Sequence, residues 1–195
     1  MYSSHLLLLF FWVLYGVLHS LFAALAFKKW VGKQSVFMAK YYRLFYSVFA
    51  VVSLAALLWF HIAATSFLLF QNTGLRLGFG LPIGLTGFVI MIISSKNYFL
   101  YLTGLEVFYN ENPVAVLKTD GLHRYVRHPL YLGTFLFIAG LFFCFPFASN
   151  LIALLVIIGY TLAGIRLEEQ KLVLEFGDAY SRYQKEVPML LPIKF

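Results

Sequence analysis

Five runs of mostly apolar residues, each near the length that crosses a bilayer, constrain this chain more than any other feature. They are Leu6–Phe27, Leu44 to about Thr65, Gly78 to about Ser95, Leu130 to about Phe145, and about Leu151 to Leu167. A membrane-spanning helix needs about 20 such residues. The last two runs are short and joined by the tight link Phe145-Pro146-Phe147-Ala148-Ser149-Asn150, so they are expected to form a helical hairpin. Pro82 falls in the first turn of the third run, where proline is tolerated. Charged residues make up 12% of the chain, about half the share of a soluble domain. A soluble fold of 195 residues could not hide this much apolar surface. The expected fold is therefore an all-α integral membrane protein of about five transmembrane helices. It reads as one domain over 1–195, with a three-helix part over 1–100 and a second part over 101–195.

The placement of charge sets the expected orientation. Lys28, Lys29, Lys33, Lys40 and Arg43 follow the first run; Lys96, Lys118, Arg124 and Arg127 follow the third; Arg166, Lys171, Arg182, Lys185 and Lys194 follow the fifth. Arg76 is the single exception, on the opposite side. Basic residues collect on cytoplasmic loops, so the N-terminus is expected outside and the C-terminus inside. The eight acidic residues, Glu106, Glu111, Asp120, Glu168, Glu169, Glu175, Asp178 and Glu186, share the basic side. The net charge of +7 then faces anionic lipid rather than nucleic acid. Met1–His5 carries no Lys or Arg, and the first run is expected to be a retained helix rather than a cleaved signal peptide. No carboxylate, lysine or arginine lies near the centre of a run, which argues against a transporter. The lone Cys144 makes no internal disulfide, and no metal-ligand spacing is present.

The polar chemistry gathers at one membrane surface. The densest stretch is Asp120-Gly121-Leu122-His123-Arg124-Tyr125-Val126-Arg127-His128-Pro129-Leu130-Tyr131. Pro129 suits the first position of a helix and His128 the capping position before it. Helix N–H groups, a guanidinium and an imidazole would meet there, as an anion site or as an anchor to lipid headgroups. Glu168 and Glu169 form a second signal. Adjacent residues on a helix point about 100° apart, so the two are not expected to face one partner. One would face a cationic or hydroxyl-bearing ligand and the other a basic residue, unless both simply mark a solvated helix end. Leu172, Phe176, Tyr180 and Tyr183 make an amphipathic stripe, broken at Gly177-Asp178 with Asp178 as a cap. This tail helix either packs on the bundle or covers a cofactor. His19, inside the first run, is a hydrogen-bonded core residue or a substrate contact.

Gly121-Leu122-His123-Arg124-Tyr125-Val126-Arg127-His128-Pro129-Leu130-Tyr131-Leu132-Gly133, followed by Glu168-Glu169, Leu172, Phe176-Gly177, Tyr180 and Tyr183, resembles the isoprenylcysteine carboxyl methyltransferase-like membrane superfamily, which includes phospholipid methyltransferases. His19-Ser20, Ala23, Phe27-Lys28-Lys29-Trp30, Tyr42-Arg43 and Tyr46, with Arg182-Tyr183 and Val187-Pro188-Met189-Leu190-Leu191-Pro192, is similar to the methanethiol S-methyltransferase and NnrU-like branches. His123 departs from the pattern, where relatives often carry tyrosine.

The resemblance implies S-adenosylmethionine as methyl donor, held at the cytoplasmic face, in a multi-pass protein expected in a bacterial inner membrane. His128, Tyr131, Glu168, Glu169, Tyr180 and Tyr183 are the expected cofactor contacts. Arg127 and Arg124 would hold an anionic acceptor as the catalytic pair, and His19 would meet the substrate. The acceptor would be lipophilic or small and apolar, such as a thiol or a prenylcysteine carboxylate. Integral-membrane sterol reductases, which use NADPH, are similar in the C-terminal region, and an NnrU-like non-catalytic factor is the third possibility.

Overall fold

A computed structural model describes residues 2–96, 99–108 and 116–192. Glu111 and Lys194 lie outside the described residues. The chain is an all-α integral membrane protein: 82% of the described residues are helical. The described residues form two compact units, one made of residues 2–67 and 99–108, the other of 68–96 and 116–192. The third apolar run thus packs within the second unit.

In the first unit, α1 (Tyr2–Ala23) and α3 (Val36–Ala63) are the expected first two spans. The basic link between them, read as a loop, contains a ten-residue helix, α2 (Leu25–Gln34). Ser35 ends it and starts the next, its hydroxyl accepting from the Met38 N–H at the N-terminus of α3. A ladder of hydrogen bonds from side chains runs between α1 and α3 with the segment just after it. His5 meets the Ser66 hydroxyl at 3.0 Å, Trp12 donates to His61 at 3.2 Å, and Tyr42 donates to the Phe22 carbonyl at 2.7 Å. Side chains facing away from the ladder stay uncovered: Trp59 is 80% exposed and Ile62 82%. Such faces are stable only against lipid. The chain continues through α5 (Phe99–Thr103) and a 3-10 turn at Leu105–Phe108.

In the second unit, a π-helical turn at Leu75–Gly80 runs into α4 (Leu81–Lys96). The Leu81 N–H reaches back to the Arg76 carbonyl, and Pro82, lacking an N–H, cannot continue a regular ladder at this point. α6 (Pro129–Cys144) packs against α4 along a glycine seam. A Cβ on Gly87 would collide with the Phe137 backbone, and one on Gly140 with the backbone of Gly84. Close backbone approach through small residues is a main source of helix association in lipid, where no hydrophobic force draws helices together. At one end of the seam, Arg76 donates to the Cys144 carbonyl at 2.8 Å and Leu69 to the Pro146 carbonyl at 2.8 Å.

α7 (Ala148–Phe176) is 29 residues long, longer than the run that announced it. Its apolar part gives way to Arg166-Leu167-Glu168-Glu169-Gln170-Lys171 without a break, because these are good helix formers. Gly177, at φ 55°, ends it. α8 (Asp178–Glu186) follows at once. The cap position of α8 is Gly177, not Asp178: Asp178 is the first helical residue and makes no capping hydrogen bond, and it serves instead as a charge in the first turn.

Among the described residues, four helical segments are long and apolar enough to cross a membrane: Ser3–Ala23, Val36–Ala63, Leu75–Lys96 and Ala148–Phe176. The fifth apolar helix, α6, has 16 residues.

Candidate active site in the second unit

Arg127 and His128 immediately precede α6, and Glu168 and Glu169 lie in the polar extension of α7. The tail after α8 brings these pieces together. Residues 127–128 pair with the segment after α8: the Arg127 N–H donates to the Pro188 carbonyl at 2.9 Å and the His128 N–H to the Met189 carbonyl at 3.1 Å. Tyr183 donates to the His123 carbonyl at 2.6 Å, and the His123 ring lies 3.1 Å from the Arg127 carbonyl.

Glu169 is the hub. Its Oε1 accepts from Arg127 Nε at 2.6 Å, lies 3.1 Å from His128 Nε2, and takes the Tyr180 hydroxyl at 3.4 Å. Its Oε2 accepts from Gln184 at 3.1 Å. Arg127 also donates through Nη1 to the carbonyls of Gln184 and Val187. The side chains of Arg127 and Glu169 are 11% and 15% exposed, that of His128 5%. Burial at this depth is tolerable because each charge is paired and its remaining hydrogen-bonding capacity is used. Tyr180 is fully buried, and burial beside Glu169 pushes its phenol well above the usual range, so it stays a neutral donor. His123 is half-buried, and burial lowers its basicity, favouring the neutral ring.

Glu168 differs from its neighbour. Its side chain is 43% exposed, and its Oε2 accepts from Tyr131 at 2.9 Å. It also lies 3.9 Å from His128 Nδ1. The expectation that adjacent carboxylates cannot face one partner is therefore overturned. The His128 ring carries nitrogens on opposite edges, and Glu168 and Glu169 approach one each. Tyr131 stacks on the same ring, centroids 5.6 Å apart.

The sequence-read residues thus divide. Arg127, His128, Tyr131, Glu168, Glu169 and Tyr180 form one network, with Tyr183 bracing its edge through His123. Arg124 is exposed and outside it. His19 belongs to the first unit, with the Tyr46 hydroxyl 2.8 Å from Nε2. Gln184 was missed by the sequence reading. It lies four residues after Tyr180, hence on the same face of α8, and that spacing was the available signal.

Two features suit a zwitterionic ligand. The first-turn N–H groups of α6 have no intrahelical acceptor, and His128 in the cap position makes no capping bond. Glu168 supplies a half-exposed carboxylate beside them. Among the described residues no group of three or more His, Cys, Asp or Glu side chains is arranged to hold a metal ion.

Comparison with known proteins gives this arrangement its family. The model of the phospholipid methyltransferase family matches residues 74–179, just over half of the chain. A methanethiol S-methyltransferase of Crocosphaera subtropica is 30% identical over 188 residues, covering 92% of this chain and 71% of the relative. Methanethiol S-methyltransferase 1 of Bradyrhizobium diazoefficiens is 33% identical over 190 residues, covering 92% of this chain and 64% of the relative. A protein-S-isoprenylcysteine O-methyltransferase of Schizosaccharomyces pombe is 40% identical over 83 residues, 42% of this chain and 35% of that protein. No solved structure matches the chain significantly. The family match spans the glycine seam, the residues before α6 and the paired glutamates, and with the apolar helices around them it shows that the chain belongs to the phospholipid methyltransferase family and is a membrane methyltransferase using a methyl donor.

Proposed function

We propose that the methyl donor is S-adenosylmethionine, bound at the inner end of the second unit, and that the acceptor is a small thiol or a prenylcysteine carboxylate. The observation that carries the donor reading is the half-exposed Glu168, which accepts from Tyr131 in the first turn of α6. A half-exposed carboxylate complements the ammonium of an amino-acid moiety, and the N-terminal end of a helix complements its carboxylate. The acceptor reading rests on the relatives' names, methanethiol and isoprenylcysteine methyltransferases.

In this reading Glu168, Tyr131 and His128 meet the donor. Glu169, Tyr180 and Tyr183, assigned to the cofactor on sequence grounds, form the wall that holds them, and Arg127 joins that wall as a positioning residue because Glu169 neutralises it. The donor supplies an electrophilic methyl on a cationic sulfur. The protein's task is to bring a thiolate or carboxylate into line with that carbon, so that the new bond forms as the sulfonium bond breaks. Positioning of this kind accounts for a large share of rate enhancement without a dedicated base. Arg124 stands apart with its guanidinium available to an anion other than the donor's. His19 is proposed to meet the acceptor within the first unit, where its ring already answers the Tyr46 hydroxyl. The chain is proposed as a single membrane domain over 1–195 with five spans, the N-terminus outside and the site on the cytoplasmic face of a bacterial inner membrane, as the positive-inside rule favours.

The test is calorimetric titration of the purified protein with S-adenosylhomocysteine. Saturable binding by the wild type, weakened about tenfold or more in Glu168→Gln with melting unchanged, is the expected result. A folded wild type that takes up none overturns the donor reading.

A further inference from the structure

A second polar space lies in the second unit, outside the Glu169 network. It is a cleft of about 580 Å³ lined by Leu117, Thr119, Arg124, Arg182, Tyr183 and Glu186, among others. Arg124 comes from the 3-10 turn at Gly121–Arg124 and Arg182 from α8. Both are exposed, and neither makes a hydrogen bond or ion pair among the described residues. Two guanidiniums and one carboxylate, Glu186, line the cleft and leave it net positive, and the planar fork of arginine fits phosphate oxygens. The flanks favour a bilayer source for that phosphate. Val116 and Tyr125, each next in sequence to a cleft residue, are 73% and 62% exposed. Exposed apolar side chains beside paired cations match a surface that touches acyl chains and anionic headgroups together.

We propose that the Arg124–Arg182 cleft binds the phosphate of an anionic membrane lipid, which is held there and not methylated. The site has a structural consequence. Ala179, Arg182, Tyr183 and Glu186 of α8 line the cleft, while Tyr180 and Gln184 of the same helix reach Glu169. A lipid seated in the cleft steadies the helix that walls the Glu169 network.

The full chain in detergent is titrated calorimetrically with short-chain phosphatidylglycerol, which has neither thiol nor amine, and with short-chain phosphatidylcholine. No donor is present, so the result is independent of the donor reading. Saturable binding of the anionic lipid alone is expected, weakening with salt and falling about tenfold in Arg182→Gln and in Arg124→Gln, with Arg182→Lys retaining most of it. Equal binding of both lipids, or an Arg182→Gln variant that melts and binds as the wild type does, overturns the proposal. Displacement by inorganic phosphate at matching concentration overturns the lipid source in favour of a free anion. Displacement by S-adenosylhomocysteine assigns the cleft to the donor and equally overturns it.

Discussion

The pairs α1/α3 and α4/α6 solve one problem by opposite means. In lipid, helices gain little by burying apolar surface against each other, so packing and interhelical hydrogen bonds must hold them. The α1/α3 pair uses hydrogen bonds made by large side chains: Trp12 to His61, Tyr46 to His19, Tyr42 to a backbone carbonyl. Bulky aromatics keep the backbones apart and leave an apolar groove of about 420 Å³, lined by Phe11, Tyr15, Phe49 and Phe60 among others. The α4/α6 pair uses glycine and leaves no room between the backbones. The second arrangement sets backbone against backbone, and its end at the N-terminus of α6 carries the Glu169 network. Catalytic geometry tolerates errors well under 1 Å, so a seam of backbone against backbone is the natural base for it.

The comparison breaks first at the seam. Gly87→Leu should cause the largest loss, because the added side chain meets backbone atoms of Phe137 and Gly133 that cannot move aside. Overpacking against side chains that can shift costs about 1–3 kcal/mol; here the obstacle is backbone, the loss should exceed that range, and thermal melting in detergent should show a marked drop or no folded protein. If Gly87→Leu melts like the wild type, the seam is not what holds α4 to α6.

Glu169→Ala comes next. It leaves Arg127 and His128 buried without their carboxylate, a loss of about 3 kcal/mol for a broken buried pair. Glu168→Ala, at a half-exposed position, should barely move the melting temperature. The contrast separates the residue that builds the wall from the one proposed to meet the ligand. Equal melting losses in the two variants would erase it. Trp12→Phe should have the smallest effect, removing one interhelical hydrogen bond worth about 0.6–1 kcal/mol. A larger loss would show that the α1/α3 ladder holds its helices as firmly as the glycine seam does.

Run length and charge placement made the helices legible from the sequence, and Pro129 marked the start of α6. α2 escaped because Leu25–Gln34 mixes three lysines with scattered apolar residues and shows no clear stripe. The glycine seam escaped because Gly80, Gly84 and Gly87 have meaning only against a partner that no local pattern names. At the site, the right residues were visible, but their division of labour was not. Whether Glu168 or Glu169 turns inward depends on the rotation of α7 and on a tail that folds back through backbone bonds to Arg127 and His128. The reasoning about 100° spacing was sound for a point-like partner and failed for an imidazole with two nitrogens.

The π turn at Leu75–Gly80 has a consequence for how this chain tolerates insertions and deletions. A π turn carries more residues than an α turn of the same span. Loss of one residue there can be absorbed by relaxing to α geometry, with everything downstream left in place. Loss of one residue between Gly84 and Gly87 has no such slack. It would rotate one of these glycines about 100° relative to the other and set a bulkier side chain against the backbone of α6. Lineages of this protein should therefore vary in length just before Leu81 and hardly at all just after it.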